Sequence, residues 1–109
     1  MVLRKISMHN LQPTDTLRKR TIDFYNSLSE EEIKEIPKPQ VWNINGRNYI
    51  SDGNNLSAFL AQKGKKYIEV DFNVPNELSH SCFNLDLLEK DGNTLKNLGI
   101  YNPEHLWDL

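Results

Sequence analysis

Residues 41–53 read VWNINGRNYISDG and carry the strongest structural signal in the chain. The pair Asn45-Gly46 tolerates the positive φ angles of a type I′ turn, whose twist matches that of the strands it joins. Segments rich in β-branched and aromatic residues precede and follow this pair. The sequence therefore predicts a β-hairpin over residues 41–50.

A helix and a further strand are predicted directly after the hairpin. The segment Ser51–Asn54 has the composition of a corner between a strand and a helix. Apolar residues at helical spacing then predict a helix over residues 54–63, with Gly64 as a good residue just past its end. Residues 67–72 alternate and predict a strand that Pro75 closes. The two strands that flank the helix can pair in parallel through a right-handed crossover.

The residues before the hairpin predict a short strand and two helices. Residues 5–8 alternate in the manner of a strand, and Asp15 or Thr16 is placed to cap a helix that reaches to about residue 28. Ser29 with Glu32 three positions later forms a capping-box pattern, which predicts a second short helix over residues 30–35. The chain up to residue 75 is thus predicted to be an α+β core with a small mixed sheet.

Residues 76–109 predict an acidic helical extension packed on that core. Leucines and Cys82 at near-helical spacing predict a helix that ends at Asp91-Gly92, and Asn102-Pro103 has the pattern of an N-cap followed by proline at the first helical position. The spacing of leucines around Gly99 in the same tail also resembles the pattern of a helix-turn-helix. However, its last helix carries Glu104 and Asp108 and no Lys or Arg, and DNA affinity depends on cations that contact phosphates, so DNA is only weakly supported as a partner. A helical cap over the sheet, or a homodimer surface that uses Trp107, is the favoured interpretation.

Composition and charge limit the function classes. The chain of 109 residues fits one domain and has a formal net charge of −2. Residues 1–75 hold 11 Lys/Arg and 9 Asp/Glu, whereas residues 76–109 hold 2 and 6, so a polyanion would meet the first part of the chain. The charge excludes a strongly basic nucleic-acid coat or a polybasic membrane binder. With one cysteine, no signal-like apolar run and no membrane-length apolar run, we expect a soluble, cytoplasmic protein that does not contact a membrane.

The corner at Asp52-Gly53-Asn54-Asn55 is the candidate binding site. A strand that ends in glycine and leads into a helix leaves several backbone N–H groups without partners at the positive end of the helix dipole, where an anion fits. Asp52 beside such an anion would hold a metal ion or take a proton from a hydroxyl group. Asn54 and Asn55 would donate further hydrogen bonds. The alternative is an ordinary Asp-Gly-Asn turn with an asparagine cap.

The chain from about residue 4 to residue 74 resembles the ParB/sulfiredoxin superfamily. The resemblance rests on the order and spacing of several segments: Leu11-x-Pro13 after a first strand, a helix, Pro39-x-Val41-Trp42, the Asn45-Gly46 turn, Tyr49–Gly53, Ala58 and Gly64–Val70. It implies a small α+β fold that binds a nucleotide or phosphate at the Asp-Gly corner. Members of the superfamily include partition proteins that bind and hydrolyse CTP on DNA, sulfiredoxin, an archaeal free-serine kinase, and proteins labelled ParB-like nucleases.

The chain departs from this pattern after Gly53. Members typically continue with a His-His-Arg or Glu-Arg-Arg type tripeptide, and here Asn54, Asn55 and Leu56 occupy those places. Leucine supplies none of the bidentate bonds that an arginine makes to phosphate. Sulfiredoxin chemistry requires a cysteine directly after the glycine. Asn54 stands at that position, so sulfiredoxin activity is excluded. The serine-kinase-like members place an acid shortly after Leu-x-Pro, and Asp15 is the only candidate here.

Two hypotheses follow. The first is a ParB-like domain that binds a nucleotide with Mg²⁺ and carries out phosphoryl transfer or nucleotide hydrolysis in a DNA-related process. In it, Asp52 organises the metal or the base chemistry, Asp15 is the second acid, and the phosphate contacts come from Gly53, Asn54, Asn55 and Arg18. The second is a non-catalytic interaction or oligomerisation module that has kept the fold and lost the site. Restoring an arginine at position 56 would create binding if the site is vestigial.

Overall fold

In the residues that the structure describes, a four-stranded mixed β-sheet is accompanied by four α-helices, so the predicted α+β class is confirmed. The computed structural model describes residues 2–76 and 84–109. The strands are β1 (Leu3–Ser7), β2 (Gln40–Ile44), β3 (Arg47–Asp52) and β4 (Tyr67–Asn73), in the spatial order β1-β4-β2-β3. The α-helices are α1 (Lys19–Asn26), α2 (Glu30–Glu35), α3 (Asn54–Gln62) and α4 (Leu85–Asn97), and short 3-10 helices cover Met8–Asn10 and Pro103–Asp108.

The predicted hairpin is present. Strands β2 and β3 pair antiparallel, with Trp42 opposite Tyr49. The turn between them has φ angles of 52° at Asn45 and 83° at Gly46, the conformation for which that dipeptide is suited.

Strand β4 does not pair with β3. It lies between β1 and β2, antiparallel to β1 and parallel to β2. The crossover through α3 therefore places β4 on the far side of β2, and the parallel pairing predicted for the strands that flank α3 is wrong. The hydrophobic pattern shows which strands are buried but carries no information about which buried strand is the neighbour.

Helix α1 begins later than the sequence predicts. Arg18 is its N-cap residue, and neither Asp15 nor Thr16 caps it. The Asp15 carboxylate instead accepts a hydrogen bond from the Thr16 N–H at 2.8 Å. Contacts with the start of α3 hold the segment from Thr14 to Arg18 outside the helix, as described below.

Two helix termini follow the predicted patterns. Ser29 and Glu32 form both hydrogen bonds of the capping box that starts α2. Helix α3 ends in a Schellman motif, in which Gly64 N–H donates to the Ala61 carbonyl and Lys65 N–H donates to the Leu60 carbonyl.

Helix α4 runs through the position where the sequence predicts its end. It continues past Asp91 and Gly92 to Asn97, and a second Schellman motif at Gly99 closes it. The predicted positions Leu78 and Cys82 lie outside the described residues.

Two hydrophobic clusters hold the described elements together. The larger lies against the sheet and contains Ile6, Met8, Leu11, Val41, Ile50, Ile68 and Val70. The smaller joins α3 to the C-terminal segment and contains Ala58, Leu95, Ile100 and Leu106, with Leu17 and Trp107 packed against it. The Trp107 indole N–H also donates to the Ala58 carbonyl at 2.8 Å, so Trp107 packs on α3. Across the described residues, every helix is too short or too polar to span a bilayer.

Candidate functional site

Gly53 forms the corner between β3 and α3. Its φ of 93° and ψ of 22° lie in the left-handed region, which a residue with a Cβ adopts only at a cost. A Cβ atom at this position would also lie 2.8 Å from the Cα of Pro39. Backbone conformation and close packing therefore both require glycine, and the predicted position of this residue between strand and helix is confirmed.

Asn54 attaches the preceding loop to the start of α3. Its side chain is buried, its Oδ1 accepts from the Thr14 N–H at 2.9 Å, and its Nδ2 donates to Thr14 Oγ1 at 3.2 Å. The same Nδ2 lies 3.5 Å from the Ile50 carbonyl. The sequence predicts that the Asn54 side chain donates to an anion, but the structure directs its amide to the protein's own chain.

Asn55 makes the second attachment. Its Oδ1 accepts from the Arg18 N–H at 2.7 Å, and its Nδ2 donates to the Thr16 carbonyl at 3.4 Å. The two asparagines thus hold the loop of residues 14–18 across the N-terminus of α3. This explains why that loop is not helical, and it fixes the positions of Asp15 and Arg18.

These contacts bring all six predicted site residues to one cleft of about 720 Å³. That volume is in the range of small-molecule sites, roughly 300–1,000 Å³. The predicted residues on its wall are Asp15, Arg18, Asp52, Gly53, Asn54 and Asn55, and the residues that sequence analysis did not assign to it are Thr14, Thr21, Tyr25, Ser51, Asn84, Leu87, Leu88 and Asp91. Those from α4 follow Asp52 by more than 30 positions, and no local pattern connects them to the corner.

The N-terminus of α3 opens into this cleft without a side-chain cap. The first hydrogen bond within the helix joins the Ser57 N–H to the Gly53 carbonyl at 2.9 Å. The N–H groups of the three preceding residues must therefore be satisfied from outside the helix, at the positive end of its dipole.

The charges around the cleft are mixed. Among its described lining residues are the carboxylates of Asp15, Asp52 and Asp91 and a single cation, Arg18. Arg18 Nη2 lies 3.3 Å from Asp15 Oδ2, in an ion pair whose side chains are 71% and 53% exposed. Solvent screens such a pair, so Arg18 can exchange Asp15 for another anion at little cost.

Tyr25 supplies a hydroxyl group and an aromatic surface to the same cleft. Burial raises its pKa above the ordinary tyrosine value, and the nearby Asp52 charge raises that pKa further. The phenol is therefore neutral at physiological pH and can donate a hydrogen bond.

Leu56, at the position where the resemblance has an arginine, does not reach the cleft. Its side chain is 4% exposed and lines a groove on another side of α3. Of the basic run at positions 18–20, only Arg18 lines the cleft; Lys19 pairs with Asp23, and Arg20 lines a different surface.

The described residues contain no cluster of three or more His, Cys, Asp or Glu side chains that could hold a metal ion by themselves. Mg²⁺ usually binds proteins through one or two carboxylates together with substrate phosphates. Asp52, exposed at the cleft wall, fits that kind of partial coordination. Of the histidines, His9 lines a separate depression beside Arg47, His105 accepts a hydrogen bond from the Tyr101 N–H, and His80 lies outside the described residues.

Comparison with known proteins gives no match to a family model, to a curated protein or to a solved structure.

Proposed function

We propose that the chain is a ParB/sulfiredoxin-like domain that binds a nucleotide together with Mg²⁺ in the cleft at the N-terminus of α3. The observation that carries the proposal is the uncapped helix terminus after Gly53, which opens into a cleft that Arg18 and Asp52 also line. Backbone N–H groups at a helix N-terminus are a ready-made site for phosphate.

The cleft charges favour a metal-bound phosphate over a free one. Among the described residues that line the cleft there are three carboxylates and a single guanidinium, so a bare polyphosphate would meet net repulsion from them. A divalent cation between phosphate and Asp52 would remove much of that repulsion. Arg18 would contact the phosphate in place of Asp15, and Tyr25 and Leu87 offer an apolar wall for the rest of the ligand.

Phosphoryl transfer or nucleotide hydrolysis is the reaction class that suits these groups. When bound, Mg²⁺ would neutralise charge on the phosphates. Asp52 would ligate the metal or accept the proton of the attacking hydroxyl group, and Asp15 would be the second acid. The Asn54 and Asn55 side chains would act by fixing the loop of residues 14–18. Their backbone N–H groups, at the start of α3, would donate to the anion.

A thermal-shift titration with ATP, CTP, GTP and UTP tests the proposal. Ligand at ten times its dissociation constant adds about 1.4 kcal/mol of stability, which is a rise in Tm of roughly 5 °C for a domain of this size. We expect that rise for at least one nucleotide with Mg²⁺ and a much smaller one with EDTA.

Two adjacent residues provide the variant and its control. Arg18→Ala should remove most of the shift, because Arg18 is the only cation among the described cleft residues. Lys19→Ala should leave the shift unchanged, because Lys19 pairs with Asp23 outside the cleft. The absence of a shift with every nucleotide at millimolar concentration would contradict the proposal.

A non-catalytic interaction module is the second candidate function. It is favoured by the Asn54 and Asn55 amides, which are directed to the protein's own backbone, and by the absence of an arginine at position 56. Leu56→Arg is not the discriminating substitution, because Leu56 is buried on another side of α3 and an arginine there would enter the core. Absence of nucleotide binding together with binding of a protein segment would favour this candidate.

A further inference from the structure

A second concavity lies on another side of α3, away from the nucleotide cleft. It is a groove of about 640 Å³ bounded by α2, α3 and the start of β4, and we call it the lysine-rimmed groove. Its apolar surface comes mainly from the half-buried Ile33, Ile36 and Leu60, and the buried side chains of Leu56 and Ile68 lie at its base. Among the described residues it has no side chain in common with the nucleotide cleft.

Lysines surround this apolar floor. Lys5, Lys34, Lys38 and Lys65 come from four different parts of the chain and all line the groove. Glu69 is the one carboxylate among the described lining residues, so the groove carries a net charge of +3 in a chain whose formal net charge is −2.

The existing ion pairs leave much of this charge available. The Glu69 carboxylate is 3.8 Å from the Lys38 Nζ in an exposed pair, and Glu69 also lies opposite Lys5 in the β1–β4 register. Lys34 lies 3.9 Å from Glu31, and both of those side chains are largely exposed. Exposed ion pairs of this kind contribute little to stability, so these lysines can exchange their present carboxylates for those of a partner.

An apolar floor with a cationic rim is complementary to an amphipathic segment with an acidic border. Helices dock in such grooves through apolar side chains at positions i, i+3, i+4 and i+7, while charges at the rim select the partner and its orientation. Nucleic acid would use the rim but not the floor, because phosphates gain nothing from isoleucine and leucine side chains. The acidic helix α4 of a second copy is a poor occupant, because its exposed face offers one large apolar side chain, Leu87.

We infer that the lysine-rimmed groove docks an acidic amphipathic helical segment of a partner protein. This inference does not depend on nucleotide binding, since the two concavities have no described residue in common.

Three synthetic peptides of about 18 residues, each about 27 Å long when helical, test this inference with the full chain. The first has leucines at helical spacing with Glu and Asp elsewhere, the second replaces its acids with lysine, and the third has the first composition in scrambled order. We expect the first to bind at least about tenfold more tightly than the other two, because only it matches both floor and rim. NMR shift changes should map to Ile33, Leu60 and Tyr67 and should leave Asn55 unchanged.

Charge-reversal variants identify the surface. Lys5→Glu combined with Lys65→Glu should weaken binding of the acidic amphipathic peptide about tenfold or more, as reversal of two rim charges predicts. Lys90→Glu combined with Lys96→Glu, on α4 and outside the groove, should change it less than about twofold. Circular dichroism checks that all variants are folded.

The inference would be overturned by the absence of binding at millimolar peptide, by equal binding of the scrambled peptide, or by equal loss of binding in the two double variants. Displacement of the peptide by a single-stranded oligonucleotide would overturn it as well. A concentration-dependent increase in mass that Lys5→Glu/Lys65→Glu removes would assign the groove to a second copy and would also overturn it. Loss of nucleotide binding alone leaves these measurements unaffected, so failure of the two proposals can be distinguished.

Discussion

Gly92 allows α4 to lie directly against the sheet. A Cβ atom at this position would be 2.5 Å from Cδ1 of Tyr49 and 3.2 Å from Cγ of Gln12. Tyr49 is only 1% exposed, so its ring has little space into which to move. This glycine is therefore a close-packing residue inside a helix, although its sequence context indicates a helix end.

Gly92→Ala should destabilise the protein by up to about 2 kcal/mol, because the cost of overpacking the core, about 1–3 kcal/mol, exceeds the gain of about 1 kcal/mol in helix propensity. Asn93→Ala is the matched control: Asn93 is exposed on the same helix, and its replacement should be neutral or slightly stabilising. Urea unfolding of both variants measures the difference. Equal or greater stability of Gly92→Ala than of Asn93→Ala would show that the close contact with Tyr49 is unimportant.

Asn54 and Asn55 illustrate how much a sequence pattern can predict about single residues. Their place at a glycine corner was predictable, because Asp-Gly-Asn has local turn and capping preferences. Their partners were not, since Thr14 and Arg18 lie 40 and 37 positions earlier in the chain. An asparagine amide can hydrogen-bond to an anion or to backbone groups. The position of the loop of residues 14–18, which the sequence pattern does not show, decides that these two amides bind the backbone.

At the scale of elements, α2 is held mainly by its own N-terminus. The Glu32 carboxylate accepts from the Ser29 N–H at 3.0 Å, and Ser29 Oγ accepts from the Glu32 N–H at 3.2 Å. The hydrogen bond that the Ser29 N–H donates to the Glu32 carboxylate is the main cause that lowers the pKa of Glu32 below its usual value, and the Ser29 hydroxyl group beside the carboxylate lowers it further. None of the six residues of α2 is buried, so local bonds matter more here than in the other helices.

The lowered pKa makes this contribution depend on pH. Because Glu32 has a lower pKa in the folded state than in the unfolded state, its stabilising effect is complete above the unfolded value and is lost as pH falls through the folded value. Thermal unfolding should give a higher Tm for wild type than for Glu32→Gln at neutral pH, and this difference in Tm should disappear in acid. When Ser29 is replaced by alanine, the difference in Tm that Glu32→Gln causes should be smaller. An equal difference in Tm with and without Ser29→Ala would contradict a role for the capping box.

Helix α1 marks the limit of prediction for an element. Its apolar spacing correctly indicated a helix, but its start was predicted at Asp15 or Thr16 and lies at Lys19. Asp15 has the residue type of a cap, and local propensity alone would place it there. The hydrogen bonds from Asn54 and Asn55 stabilise an extended loop instead, so a tertiary contact overrides a local preference.

For the molecule as a whole, the C-terminal segment is joined to α3 by a buried cluster. Leu106 is 1% exposed and packs with Ala58, Leu95 and Ile100. The Gln12 side chain also donates to the Ile100 carbonyl at 2.9 Å, which ties this segment to the edge of the sheet. The predicted division into a core of residues 1–75 and an extension of residues 76–109 stays a prediction, and this cluster is where it can be tested.

Leu106→Ala should lower the free energy of unfolding by about 2–5 kcal/mol, because it leaves a cavity between α3 and the C-terminal segment. Leu109→Ala provides the control, since Leu109 is 62% exposed and its truncation should change stability by less than about 0.5 kcal/mol. Urea unfolding followed by tryptophan fluorescence and by circular dichroism should give one shared transition. Two separate transitions, or equal effects of the two variants, would contradict a single cooperative unit.

The sequence by itself determined the α+β class, the β2–β3 hairpin, the capping box of α2 and the glycine corner that begins α3. Each of these depends on residues within a few positions of one another, whose φ preferences and side-chain hydrogen bonds act locally. Only the tertiary structure decided that β4 lies beside β2, that α4 continues through Gly92, and that Asp15, Arg18 and Asp52 share a cleft. These features arise from packing between distant segments, and a one-dimensional pattern of residue types does not specify which distant surface each element meets.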